Sequence, residues 1–116
     1  MSHPIPDDLL ELMAGKFQML ADATRLAILR ALMEGEKSVG QVVLETGQGQ
    51  ANISKHLKLL ADSGLVRRRK EGLQVYYRLD DPLVEQLCKL VCSTIRQEVE
   101  RNISKQQELL EKLSPA

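Results

Sequence analysis

The chain has 116 residues, the size of one small domain, and 43% of them are apolar, which is enough for a modest core. Only three residues are aromatic, so that core must be built mainly from aliphatic side chains. No apolar run approaches the roughly 18 residues that span a bilayer, and no basic and apolar leader opens the sequence, so we expect a cytoplasmic protein.

The charged residues are unevenly distributed, although the formal net charge is zero. Residues 37–78 contain eight cationic and three acidic side chains, so this middle segment carries +5 and the two ends together carry −5. A basic segment between acidic ends is typical of a protein that presents one face to a polyanion.

The first third of the sequence predicts a lead-in and two helices. Two prolines favour disorder over residues 1–8, and apolar side chains at helical spacing follow over residues 9–20. Asp22 is a good N-cap for a second helix over residues 23–33.

Two further helices are predicted in the middle of the chain. Ser38 suits the N-cap of a helix over residues 39–45, and the next helix should cover residues 50–63. Its buried face is predicted from apolar side chains four, seven and eight positions apart, at Ile53, Leu57, Leu60 and Ala61. Two helices joined by a tight Gly-containing turn form a helix-turn-helix pattern.

A two-stranded β-hairpin is predicted over residues 66–79, with Glu71 and Gly72 as its turn. The second strand alternates well: one face carries Val75, Tyr77 and Leu79, and the other carries Gln74, Tyr76 and Arg78. Tyr77 is the better candidate for the core.

A long last helix should begin at Pro82 and continue to Leu113. A helix of roughly 30 residues is about 45 Å long, which is more than a small core can cover. The first and last helices therefore predict self-association, with a dimer interface that includes Leu9, Leu12, Met13, Phe17, Leu87, Val91, Ile95 and Val99.

The polar side chains around the fourth helix are suited to nucleic acid, because amides pair with adenine edges while hydroxyl, Lys and His groups serve bases or phosphates. We expect Gln50, Asn52 and Lys55 to lie near bases. Ser54, His56 and Lys58 should lie nearer the sugar-phosphate backbone of the nucleic acid. A solvated helix face is the alternative. Arg25 could serve a phosphate or a structural salt bridge equally well. The candidates in and before this helix are Gln48, Gln50, Ala51, Asn52, Ser54, Lys55, His56 and Lys58.

Four consecutive cations begin the predicted hairpin, at Arg67, Arg68, Arg69 and Lys70. Cations give affinity for phosphates without reading sequence. Side chains of a strand alternate between two faces, so we expect two of the four to reach DNA. The alternative is the protection of an exposed strand edge.

Two cysteines, Cys88 and Cys92, lie four residues apart on the last helix, where Cβ atoms are about 5–6 Å apart. They are too few for a disulfide scaffold. The pair could bind a soft ion, bridge two subunits or be oxidised by a reactive sulfur species. The alternative is a packing role, since free Cys is commonly buried.

Four blocks occur in order, and together they carry a resemblance: residues 22–29 (DATRLAIL), 53–57 (ISKHL), 63–66 (SGLV) and 75–79 (VYYRL). Over about residues 14–95 the chain resembles the ArsR/SmtB family of bacterial winged-helix repressors. The resemblance implies a mainly α fold with a two-stranded hairpin, forming one winged helix-turn-helix domain over residues 9–113. It also implies a homodimer, paired through the N- and C-terminal helices, that blocks transcription at an inverted repeat until a small effector binds.

The two metal sites of that family are not matched here. The family's Cys-Val-Cys arrangement corresponds to residues 38–40, where Ser38 and Gly40 provide no thiolate. Its second site uses Asp and His at the start of the last helix, where this chain has Asp81, Pro82 and Leu83 and no later His. We therefore expect neither metal nor cofactor at these positions.

The sequence is also compared with what two other classes of protein require. Winged helices also serve as dimerisation or docking modules that do not read DNA. An enzyme is not indicated, because the sequence has no Gly-rich phosphate loop and no converging set of His, carboxylate and nucleophile. His3 and His56 both have plainer explanations.

Overall fold

The computed structural model describes residues 4–114, in which five helices and three strands are formed. In chain order these are α1 (Asp7–Leu20), α2 (Ala23–Leu32), β1 (Lys37–Ser38), α3 (Val39–Thr46), α4 (Gln50–Asp62), β2 (Val66–Glu71), β3 (Gln74–Leu79) and α5 (Pro82–Leu113). Residues 1–3, with His3 and the start of the predicted lead-in, lie outside the described residues. Helix α1 begins two residues before its predicted start.

The chain divides into two compact units, Met1–Pro82 and Leu83–Ala116. The first unit holds α1 to α4 and the sheet, and the second holds nearly all of α5. One domain over residues 9–113 stays a prediction. Among the described residues, none of the helices combines the length and apolar character needed to cross a bilayer.

The core of the first unit is aliphatic, as the composition predicts. Its fully buried side chains are Ile28, Leu29, Val42, Ile53, Leu57, Leu60 and Leu65. Burial of one such side chain contributes about 1.5–3 kcal/mol. The predicted buried positions of α4 are confirmed, except that Ala61 is half-buried. Tyr77, at 7% exposure, is confirmed as the tyrosine of the core.

The sheet has three strands rather than the predicted two. β1 pairs antiparallel with β3, Lys37 opposite Tyr77 and Ser38 opposite Tyr76, which gives the order β1-β3-β2. A strand of two residues shows no alternation that sequence reading can detect. The hairpin turn also shifts by one residue, because Glu71 pairs with Gln74 and leaves Gly72, at φ 60°, to start the loop.

Both predicted N-caps form. Asp22 Oδ1 accepts a hydrogen bond from the Arg25 backbone N–H at 3.0 Å. Ser38 and Gln41 form a reciprocal pair: Ser38 Oγ accepts from the Gln41 backbone N–H at 3.2 Å, and Gln41 Oε1 accepts from the Ser38 backbone N–H at 2.8 Å. These bonds satisfy donors that a helix start leaves free. Gly47, at φ 70°, then ends α3 and turns the chain towards α4.

Helix α5 is 32 residues long, which is about 48 Å. Its apolar side chains at Val91, Ile95, Val99 and Ile103 are each about half exposed. Leu9, Leu12 and Phe17 on α1 are exposed as well, whereas Met13 and Leu87 are half-buried. Each of these two helices therefore carries an apolar stripe that its own unit leaves open.

The cap of α3 generates a stability prediction. Ser38→Ala should lower the free energy of unfolding by about 1 kcal/mol, because the Gln41 N–H loses its acceptor. Urea unfolding followed by circular dichroism measures this change. Ser93→Ala, at an exposed position of α5, is the matched control and should leave stability unchanged or slightly higher. Equal stability of the two variants would show that the cap contributes nothing.

Candidate nucleic-acid interface

Helix α4 separates an apolar face from a polar one. Ile53, Leu57 and Leu60 have no exposed surface, so they fix the rotation of the helix about its axis. The side chains on the other faces are exposed at Gln50, Ala51, Asn52, Ser54, Lys55 and Lys58. A ligand can therefore reach this polar surface while the apolar face holds it rigidly in place.

The first turn of α4 is open to an anion. Its N-cap is Gly49, which has no side chain to occupy the free N–H groups, and the turn contains no acidic residue. Free N–H groups at a helix start favour phosphate. Just beside this turn, Asn52 Nδ2 donates to Gln48 Oε1 at 3.0 Å, so two of the predicted amides are held together. Gln48 precedes the N-cap Gly49, so the spacing rule for helical side chains does not predict this pair.

His56 is placed differently from the other candidates on α4. It is half-buried, and its Nδ1 lies 3.3 Å from Nη1 of Arg25. Arg25 itself is turned inward, with its side chain 15% exposed. The structure therefore gives Arg25 contacts within the protein rather than a free guanidinium.

The four cations of β2 divide by strand face. Arg68 lies opposite Tyr77 and shares the face of the core, whereas Arg69 lies opposite Tyr76 on the other face. On that second face, Arg67 Nε is 3.6 Å from Asp80 Oδ2. Arg68 and Lys70, on the first face, are exposed and form no ion pair within the described part of the chain.

Arg69 is the centre of a cluster that sequence reading missed. Its guanidinium donates to Glu36 Oε1 at 2.7 Å and to Glu71 Oε2 at 2.6 Å, and its Cζ lies 4.7 Å from the centre of the Tyr76 ring. The Arg69 hydrogen bond lowers the pKa of Glu36, and its carboxylate in turn raises the pKa of Arg69. Glu36 is 33 residues away in sequence, so no local pattern signals the contact. These contacts occupy Arg69 and tie β2 to the segment before β1.

Both thiols on α5 are free: Cys88 is half-buried and Cys92 is exposed. Burial, and secondarily the neighbouring Cys92, raise the pKa of the Cys88 thiol. No group of three or more metal-binding side chains forms within residues 4–114. At the first of the family metal positions, the Ser38 hydroxyl is engaged in capping α3.

Comparison with known proteins agrees with this architecture. The family model described as "Bacterial regulatory protein, arsR family" matches residues 22–68. The regulator KmtR of Mycobacterium tuberculosis is 40% identical over 84 residues, which cover 72% of this chain and 65% of that protein, slightly less than two thirds of it. The arsenical resistance operon repressor of Escherichia coli is 41% identical over 86 residues, covering 73% of this chain and 74% of that repressor.

A solved structure extends the similarity to the fold. The homodimeric winged helix-turn-helix DNA-binding domain Mb0332 of Mycobacterium bovis, determined by NMR, superimposes with a TM-score of 0.73 at 32% identity. The alignment covers 86% of this chain and 93% of that domain. The chain belongs to the arsR family of bacterial regulatory proteins and has the winged helix-turn-helix fold.

Proposed function

We propose that this protein is a homodimeric transcriptional repressor that reads an operator with α4 and holds the flanking phosphates with the β2–β3 hairpin, its wing. The observation that carries the proposal is the division of α4 into two faces. Three fully buried side chains on one face fix the orientation of the helix, so its polar side chains are exposed on the other. A solvated surface helix does not require amides, Lys and an open first turn on one face. A helix that reads bases requires such hydrogen-bonding side chains on its exposed face.

The polar residues divide by chemistry into base and phosphate contacts. Gln50 and the paired Asn52 present amides, which recognise adenine bidentately, and Lys55 suits guanine acceptors. Ser54, Lys58 and the open first turn suit phosphate oxygens. Of the four cations on β2, Arg68 and Lys70 remain available, because Arg67 and Arg69 face carboxylates.

The proposed dimer pairs the open apolar stripes of α1 and α5 with those of a second copy. Those stripes contain the side chains that the sequence predicts at the interface, and six of these eight are at least 45% exposed in the single chain. The Mycobacterium bovis relative is itself homodimeric. A twofold axis would present two α4 helices to successive major grooves, about 34–36 Å apart.

Salt-dependent operator binding tests the assignment of the cations. Arg68→Ala should weaken binding and reduce the slope of log K against log salt by about 2, because the homodimer loses one phosphate contact from each subunit. Lys55→Ala should weaken operator binding about a hundredfold and reduce the preference over scrambled DNA, since it removes a base contact from each subunit. Fluorescence anisotropy with labelled duplexes measures both effects.

Arg67→Ala is the matched control for Arg68→Ala, since it removes the same charge from the opposite face of the same strand. It should leave the salt slope nearly unchanged. Equal slopes in the two variants would mean that the wing acts only through its total charge. If the wild-type protein does not prefer the DNA upstream of its own gene over scrambled DNA, the alternative of a protein-interaction module stands instead.

The effector site that we propose is the thiol pair Cys88 and Cys92. Two thiols one helical turn apart can share a thiophilic ion, and they lie on the helix that we assign to the dimer. The Escherichia coli relative is named for arsenical resistance. An effector releases DNA only if it binds the DNA-incompetent arrangement more tightly, so the ligand must change how α5 pairs.

Phenylarsine oxide, which crosslinks two nearby thiols, tests this assignment. It should weaken operator binding by the wild-type protein and leave the Cys88→Ser, Cys92→Ser double variant unaffected, with equal affinity of both proteins before treatment. In alkylation followed by mass spectrometry, Cys92 should react before Cys88, because burial raises the pKa of the Cys88 thiol and leaves less thiolate. Full operator affinity of the arsenical-treated wild type would return the cysteines to a packing role.

A further inference from the structure

Helix α1 ends without a cation of its own, and Arg25 of α2 supplies one. No basic side chain occupies the last turn of α1. Arg25 Nε donates to the carbonyl oxygen of Met19 at 2.7 Å, and its Nη2 donates to that of Gln18 at 3.2 Å. Both carbonyls belong to the negative end of the α1 dipole, which a guanidinium stabilises. The end of the helix is therefore held by a side chain from the next helix.

The third nitrogen of the same guanidinium faces α4. Arg25 Nη1 lies 3.3 Å from Nδ1 of His56 and 3.9 Å from Oδ2 of Asp22. A guanidinium can only donate, so Nδ1 of His56 must accept and carries no proton. The proton of the neutral imidazole is then on Nε2. Arg25 thus selects the tautomer of a side chain on the proposed reading helix.

We infer that Arg25 is a positioning residue for DNA binding: it holds His56 in the Nε2–H form, as a neutral donor to an operator phosphate, and ties that ring to the last turn of α1. This inference rests on the proposed function. Arg25 is not itself a phosphate ligand, because each of its three nitrogens has a partner in the protein and its side chain is 15% exposed. Asp22 fixes the backbone end of this arrangement through its bond to the Arg25 N–H.

The arrangement links the proposed dimer surface to the proposed reading surface. The two carbonyls that accept from Arg25 belong to the residues that directly follow the exposed Phe17 in sequence. The imidazole ring that Arg25 contacts lies in sequence between the exposed Lys55 and Lys58. A shift of the end of α1 by a fraction of an ångström would lengthen one of these hydrogen bonds, and bonds of this kind weaken steeply with distance and angle. Arg25 therefore joins the end of α1 to the reading helix by direct hydrogen bonds.

A double-mutant cycle on operator affinity tests the inference. His56→Ala should weaken binding by the homodimer about a hundredfold, because each subunit loses a neutral donor to a charged oxygen, without changing the salt slope. Arg25→Lys keeps the charge but not the three-way fork, and it should cause a similar loss. The double variant should bind no more weakly than His56→Ala alone. Losses that multiply would overturn the coupling.

Two further variants separate positioning from direct contact and from folding. His56→Gln, which keeps an N–H donor, should recover part of the affinity lost in His56→Ala. Arg25→Gln removes the charge, and a salt slope lower by about 2, one phosphate contact from each subunit, would show that Arg25 contacts a phosphate itself. If Arg25→Gln does not fold, which urea unfolding reveals, the charge-preserving Arg25→Lys variant still decides the question through the cycle.

The tautomer is tested without DNA by nitrogen-15 NMR, so its failure can be distinguished from failure of the proposed function. The imidazole signals of His56, assigned by their loss in His56→Gln, should show an unprotonated Nδ1 and a protonated Nε2 in the wild type. Arg25→Lys should shift the ring towards a mixture of tautomers. A protonated Nδ1 in the neutral ring of the wild-type protein would falsify the inference whatever the operator affinity.

Discussion

The burial of one face of α4 is the constraint on which the remaining structure depends. Ile53, Leu57 and Leu60 have no exposed surface, and truncating a side chain of this kind to Ala typically costs about 2–5 kcal/mol. The exposed polar residues of the same helix lie outside this core, and substitutions at such surface positions usually change stability by less than about 0.5 kcal/mol, so their identities can serve recognition. Because the apolar face determines the rotation of the helix, it also determines which side chains face outward.

Ion pairs determine which of the exposed cations on β2 remain available. The chain is neutral overall, yet the wing contains four cations in succession, and a strand with four unpaired cations would repel itself. Here the outer face of β2 is neutralised by Asp80, Glu36 and Glu71, while Arg68 and Lys70 on the other face keep their charge. The local ion pairs thus leave β2 with one neutralised face and one cationic face. Such exposed pairs add little to stability, but they determine which side chains are available.

Periodicity and turn chemistry predict most of this fold, because they act over a few residues. The helix starts at Asp22 and Ser38 and the alternation of β3 are all local, and each was found where the residues indicate. Contacts between distant segments could not be predicted in this way. β1 is too short to show a pattern, and Glu36 meets Arg69 across 33 residues. Arg25 is ambiguous in sequence, because a guanidinium after an N-cap serves a phosphate or a structural salt bridge equally well, and neither alternative indicates the carbonyl oxygens of α1 that it contacts.

The placement of the two tyrosines has a spectroscopic consequence. The chain has no Trp, so its intrinsic ultraviolet fluorescence comes from Tyr76 and Tyr77, which are adjacent on β3. Tyr77 lies in the core, and the Tyr76 ring lies beneath the Arg69 guanidinium. The tyrosine emission therefore reports both the packing of the core around Tyr77 and the contact of Tyr76 with Arg69 on the hairpin. Neither requires an added dye.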